Sequence, residues 1–168
     1  MHQERALTLS RASLRTPIGQ LLLVTDAQQR ICAIDWSDYE ARMLQLLARH
    51  LPGATLEMAP GPAPVMAALE AYFAGDVGTI ERLPVAGIGS PFQREVWSAL
   101  RRIPAGSTRS YGELAQSLGR PAAVRAVGLA NGQNPIGVVV PCHRVIGRSG
   151  ALTGDAGGLA RKRWLLEH

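Results

Sequence analysis

Ser110-Tyr111-Gly112-Glu113-Leu114-Ala115-Gln116-Ser117-Leu118-Gly119-Arg120-Pro121-Ala122-Ala123-Val124-Arg125-Ala126-Val127-Gly128-Leu129-Ala130-Asn131 is the stretch on which the fold turns. Ser110 is placed to cap a helix, and Glu113 three residues on completes a capping box. A short helix is therefore predicted from Tyr111 to Leu118. Gly119-Arg120-Pro121 turns the chain, and a second short helix of small residues plus Arg125 is predicted from Ala122 to Asn131. Two short helices joined by a tight glycine-containing turn, the second one small-faced and carrying arginine, form a helix-turn-helix pattern. An ordinary αα-corner in a helical core has the same pattern. On the pattern alone the corner is the better reading, and the basic charge of the chain and the cysteine that follows reduce its lead.

Downstream, Gly132-Gln133-Asn134-Pro135 is a sharp turn, and asparagine is common in such turns for its own backbone bonding. Val138-Val139-Val140 is predicted as a buried strand, ended by Pro141, which has no N–H to donate. Cys142-His143-Arg144 follows, so the thiol is expected at a strand end among three features that can tune it. A cysteine is a useful nucleophile only as thiolate, which a nearby cation or base favours. A lone cysteine after an apolar run is otherwise an inert core residue, and Cys32 in Ile31-Cys32-Ala33-Ile34 fits that description. Gly147-Arg148-Ser149-Gly150 and Gly154-Asp155-Ala156-Gly157-Gly158 are predicted loops before a last helix from Leu159 to Leu166.

Upstream, Ser90 and Pro91 start a helix with Val96, Trp97 and Leu100 facing inward, and Ile103-Pro104-Ala105-Gly106 ends it. The first third reads as strands. Ala6-Leu7-Thr8-Leu9-Ser10 alternates, and Leu21–Val24 and Ile31–Ile34 are apolar runs separated by a turn at 25–29. A small antiparallel sheet is expected. A helix from about Tyr39 to His50 should turn Met43, Leu44, Leu46 and Leu47 to one face. A second helix runs from Gly61-Pro62-Ala63-Pro64 to Phe73, and an irregular connector spans Gly75 to Gly89. The fold class is α+β, with an N-terminal sheet-plus-helix subdomain over 1–80 and a helical subdomain with the helix-turn-helix over 81–168.

With 168 residues, 46% of them hydrophobic, the chain can build one domain or two small subdomains. No stretch approaches the length of a transmembrane helix, and Met1-His2-Gln3-Glu4-Arg5 leads into no apolar signal core. Two distant cysteines argue for a reducing cytoplasm, and no Cys/His cluster has zinc-site spacing. Net charge is +5, and among the 18 Lys+Arg only Lys162 is lysine. Arginine matches phosphate geometry, although a high-GC genome would produce the same skew.

Together, these residues resemble the O6-alkylguanine-DNA alkyltransferase family. Pro141-Cys142-His143-Arg144 is the specific signature. Ser110-Tyr111, Ala126-Val127-Gly128, Asn134-Pro135 and Gly157-Gly158-Leu159 fall at the family's spacings. The match is clear from about Ser90 to His168, and the earlier sheet fits the family's variable N-terminal part. The resemblance implies repair without cofactor or metal. An alkyl group would pass from O6 of guanine, and from O4 of thymine, permanently to Cys142, once per molecule. His143 would deprotonate Cys142 through a water, and Asn134 would brace the site. Tyr111 would aid phosphate rotation and donate a hydrogen bond to the flipped base. Arg125 would intercalate from the recognition helix. Gly112, Arg120 and Arg148 are further DNA-binding candidates, and Val145, Asp155, Ala156 and Gly157 are candidates for the base pocket. The partner implied is duplex DNA, entered through the minor groove with the damaged base flipped out. No membrane is involved, and the protein is expected to act as a monomer, with cooperativity on DNA left open.

Two positions depart from the family. Asp155 stands where the family has a tyrosine that walls the base pocket, which removes an aromatic surface and can bring an anion near the thiol. The family's glutamate that orients the active-site histidine falls one residue beyond His168 and Glu167 is not in register with it, so either the terminal carboxylate substitutes or the sequence is a truncated one. Two other functions remain open on the residues. A binder of alkylated DNA that does not repair it shares the fold, but Cys142 argues against it. A Cys/His hydrolase would need an oxyanion hole that no residue here supplies.

Overall fold

The computed structural model describes residues 7–147 and 158–168. The N-terminal half is a four-stranded sheet of β1 (Thr8–Thr16), β2 (Gly19–Thr25), β3 (Ile31–Trp36) and β4 (Thr55–Met58), in the order β3-β2-β1-β4. β1, β2 and β3 pair antiparallel, as the alternation and the turns at 17–18 and 26–30 dictate. β4 corrects the expectation of a purely antiparallel sheet, because it lies parallel to β1. Its Thr-Leu-Glu-Met sequence is short and mostly exposed, so neither alternation nor burial marks it. Its pairing with Thr8–Arg11 is made across the intervening helix.

That helix, α1 (Glu40–His50), is preceded by a 3-10 turn at Ser37–Tyr39, so the expected start at Tyr39 moves by one residue. Only Met43 and Leu47 of its four expected core residues are buried, and Leu44 is exposed. They meet Leu9, Leu22, Val24, Cys32 and Ala33 on one face of the sheet. The other face belongs to the main core with α2 (Ala63–Phe73), where Leu21, Leu23, Ile34 and Trp36 pack among Leu69, Tyr72 and Phe73. Thus β2 and β3, buried on both faces, read as continuous apolar runs.

The connector after α2 has no regular element longer than a single bridge. The Arg101 guanidinium donates to the carbonyls of Ile80, Glu81 and Leu83 and holds it in place. In the C-terminal half, α4 (Tyr111–Ser117) begins with the predicted capping box of Ser110 with Glu113, and at the expected cap Ser90 α3 (Pro91–Arg101) has a second box, with Gln93, that the sequence reading did not include. β5 (Arg109–Ser110) and β6 (Val145–Ile146) form a two-stranded parallel ladder. A 3-10 turn at Pro121–Ala123 leads into α5 (Val124–Gly132), and α6 (Leu159–Glu167) ends the fold. The expected start of the second helix at Ala122 therefore falls inside that 3-10 turn. The two halves meet along β3. Ile34 N–H donates to Pro135 O at 3.0 Å, and Gly137 N–H donates to Ile34 O at 3.0 Å.

Candidate functional site

The segment from Asn134 to Cys142 is built by one buried side chain. Asn134 Nδ2 donates to Val140 O at 2.8 Å and to Ile136 O at 3.3 Å, while Oδ1 accepts from Ile136 N–H at 3.0 Å. These bonds fold the backbone into a compact turn. Val138-Val139-Val140 is therefore not the expected strand. Val140 N–H donates back to Ile136 O, and Val138 adopts a left-handed φ of 68°. A β-branched residue adopts that conformation only where its surroundings hold it there. The apolar run marks burial here, since all three valines lie in the main core.

Cys142 accordingly opens a 3-10 turn, Cys142–Arg144, rather than capping a strand. Its N–H donates to Val140 O at 2.8 Å, and the residue is 8% exposed. His143 is buried, and neither ring nitrogen has a hydrogen-bond partner among the described residues. Burial pushes its pKa down to about 3, with the Arg144 and Lys162 charges adding to the effect. The imidazole is therefore neutral at physiological pH, and protonating it there costs more than it would in water. His168, beside which the orienting acid is expected, turns its ring onto Trp164 at 4.3 Å and makes a hydrogen bond to Tyr72 O.

A cavity of about 30 Å3 lies against Cys142, His143 and Asn134 and is closed from the other side by Asp35, Trp36 and Arg42 of the N-terminal half. It has room for about one water, and a buried water needs polar partners of the kind these side chains supply. The sequence reading missed this N-terminal wall. Asp35 and Arg42 are ion-paired, Nε to Oδ2 at 2.9 Å, which allows a carboxylate to sit buried there. It also missed Lys162. That ammonium is buried and donates to Val145 O at 2.8 Å, fixing the strand that follows the cysteine turn. Its only signal in the sequence is that it is the single lysine of an arginine-rich chain. Arg144 is also buried and donates to Ile103 O at 2.8 Å.

The helix-turn-helix presents a separate face. On α5, Val127, Ala130 and Asn131 are buried, while Arg125 and Leu129 are exposed, Leu129 at 64%. Arg125, Gly128, Leu129 and Gly132 recur at helical spacing along this outer face, and its two glycines permit close backbone approach. A groove beside it is lined by Tyr111, Gly112, Pro121 and Val124. The Tyr111 ring lies against Gly128. Trp97 Nε1 donates to Ala130 O at 2.9 Å and fixes α5 to α3. Arg120 pairs with Glu95 at 3.2 Å and lies over the Phe92 ring, so its guanidinium is already engaged on α3. The Val145 side chain is fully buried in the main core. The pocket and DNA candidates Arg148, Asp155, Ala156 and Gly157 lie outside the described residues.

Two family models match the chain. Residues 9–86 match the ribonuclease-like domain of 6-O-methylguanine DNA methyltransferase, and residues 91–168 match its DNA binding domain. The chain belongs to the 6-O-methylguanine DNA methyltransferase family. Among its relatives, the methylated-DNA--protein-cysteine methyltransferase of Salmonella typhimurium is 53% identical over 164 residues, 96% of each chain. The protein of the same name from Shigella flexneri is 51% identical over the same length and coverage. The solved structure of Mycobacterium tuberculosis OGT in complex with DNA superposes with a TM-score of 0.78 at 39% identity, covering 96% of this chain and 91% of that one. Membership agrees with the α+β architecture and with a helix-turn-helix in the matched DNA binding domain. Among the described residues, no helix is long and apolar enough to cross a membrane.

Proposed function

We propose that the protein repairs DNA by moving an alkyl group from O6 of guanine, and from O4 of thymine, onto Sγ of Cys142. The observation that carries this reading is the rigid turn holding Cys142 beside a neutral, unpartnered His143, in a domain whose helix-turn-helix offers an exposed arginine. The Cys142 thiol gives its proton to His143 through a water in the small cavity. The thiolate then attacks the alkyl carbon, a C–S bond forms, and the C–O bond breaks with its electron pair leaving on the base oxygen. The purine recovers a proton and becomes ordinary guanine. No step regenerates the thiol, because a thioether has no leaving group that water displaces under mild conditions. Each molecule therefore acts once, without cofactor or metal.

The target oxygen is inside the duplex, so the nucleotide must leave the stack. Tyr111 and Gly112 line the groove at the start of α4, where a rotated phosphate and flipped base would pass. Arg125, exposed on α5, fills the vacated space. The glycines on the same face suit entry through the minor groove, where recognition tolerates any sequence. Asn134 keeps the turn under Cys142 in shape throughout.

The test is intact-protein mass after incubation with a duplex containing O6-methylguanine, followed by peptide mapping. The expected result is a gain of one methyl group on Cys142, capped at one equivalent however long the incubation. Tight binding with no mass gain would identify a lesion-binding protein instead. Continued release of free methylated product would rule out the single-turnover mechanism.

A further inference from the structure

α6 is held by two neighbouring side chains that point to different halves of the protein. Lys162 reaches into the C-terminal half and donates to Val145 O at 2.8 Å, three residues after Cys142. Arg161 reaches the other way. Its Nε donates to Ile18 O at 3.0 Å, in the turn between β1 and β2. Its two terminal nitrogens clasp Asp38, Nη1 to Oδ2 at 2.9 Å and Nη2 to Oδ1 at 2.8 Å. The guanidinium carbon lies 4.6 Å from the centre of the Trp36 ring.

Gly19 completes this seat. A Cβ built there would come within 2.8 Å of Arg161 Nη2, and Gly19 has a φ of 131° that disfavours other residues. The Asp38 carboxyl titrates below its ordinary range, chiefly because of the hydrogen bond from Arg161. A fork-to-fork pair with stacking is geometrically specific in a way that a point charge is not. Arg161 also lines the small cavity together with Cys142 and His143, and so does Leu165 one turn further along α6.

We propose that Arg161 is a positioning residue for alkyl transfer, carrying the hold of the N-terminal sheet through α6 to the Cys142–Arg144 turn. The inference rests on Cys142 being the acceptor. It gives the N-terminal half a defined part in the chemistry: it sets where the acceptor turn sits, through one side chain anchored 123 residues away in sequence. Arg161 lies on α6, bound to Ile18 and Asp38, and is not part of the exposed face of α5. Its loss should therefore slow transfer without weakening DNA binding.

The experiment compares the full chain with Arg161→Ala, Arg161→Lys and Asp38→Asn. Each is mixed in excess with a duplex containing one O6-methylguanine, and the saturating transfer rate and the half-saturating protein concentration are measured, with a thermal melt alongside. Small displacements of an acceptor cost large factors, so Arg161→Ala should lower the saturating rate about tenfold or more. The half-saturating concentration should stay within about twofold, as expected when an interaction acts only in the transition state. Arg161→Lys keeps the charge without the fork and should recover part of the rate. Asp38→Asn should act in the same direction more weakly, because the Ile18 and Trp36 contacts remain.

An unchanged saturating rate in Arg161→Ala, or a loss lying wholly in DNA affinity, overturns the proposal. If Arg161→Ala does not fold, Asp38→Asn decides by the same two readings, since the Asp38 side chain is 56% exposed and its change leaves the core intact. If the unaltered protein gains no methyl on Cys142, the parent reading falls and takes this one with it. Normal transfer in the unaltered protein together with normal rates in the variants overturns this proposal alone.

Discussion

The two cysteines lie in segments of similar apolar character and have opposite surroundings. Cys32 is on β3, 1% exposed, in the cluster with Leu9, Leu22, Val24 and Met43, and its Sγ donates to Arg30 O at 3.8 Å. Burial, with a smaller push from Asp26, raises its pKa to about 11, so the thiol stays protonated and inert. Cys142 sits on a turn with a neutral histidine next in the chain, Arg144 and Lys162 close to that histidine, and a small cavity at its side. Apolar flanks alone therefore do not decide a thiol's surroundings. What differs is that the backbone keeps Cys32 within the sheet, whereas it turns Cys142 out beside a cavity and a neutral imidazole.

The largest effect should come from exchanging the two cysteines for alanine in turn. Cys142→Ala should abolish methyl transfer completely while a lesion-bearing duplex still binds in a gel-shift titration. Cys32→Ala should transfer at the unaltered rate. A slow Cys32→Ala variant would break the contrast between the two sites.

Next in size is Asn134→Ala. It strips hydrogen bonds from Ile136 N–H and Val140 O inside the protein; Val140 O keeps the bond from Cys142 N–H, whereas Ile136 N–H is left unpaired, at a cost of about 1–3 kcal/mol. Chemical denaturation should show the loss, and the transfer rate should fall with it because Cys142 N–H leans on Val140 O. Among the described residues no corresponding side-chain brace supports Cys32, which sits at the register shift of the β2–β3 ladder, between Ala33 opposite Val24 and Ile31 opposite Thr25.

The smallest effect is on acid stability. His143 has a folded pKa near 3 against an ordinary 6.5, so the unfolded chain binds more protons between those values. Its contribution to stability is present in full above about pH 6.5 and is lost as pH falls toward 3. His50 shifts in the same direction through burial and the neighbouring Arg49. Replacing His143 by phenylalanine should flatten the stability profile in this window, measured by urea midpoint against pH. A profile as steep as before would mean the imidazole is not held neutral, and the contrast with the Cys32 environment would lose its second half.

Reading by sequence succeeded where the controlling interactions are local. Capping boxes at Ser90 and Ser110 span three residues each, and both helix starts were legible. Turns at Asp26 and Gly119 likewise rest on neighbouring residues. It failed at Val138–Val140, because a β-branched run signals burial and strand equally, and only the Asn134 side chain selects the turn. It failed at β4, whose four residues become a strand through pairing with β1.

By itself, the sequence determined the α+β class and the starts of α3 and α4, and it marked Cys142-His143 as the pair on which the proposed chemistry rests. These depend on periodicity, caps and adjacent residues, which the chain carries in its local order. Only the tertiary structure decided that the cysteine rides a braced turn, that His143 is buried and neutral, and that Asp35, Arg42 and Arg161 close the site from behind. Desolvation and long-range ion pairs exist only once distant segments have met. No window of sequence holds Ile18, Asp38 and Arg161 together, and the fold brings Ile18 O and the Asp38 carboxylate each within 3.0 Å of an Arg161 nitrogen.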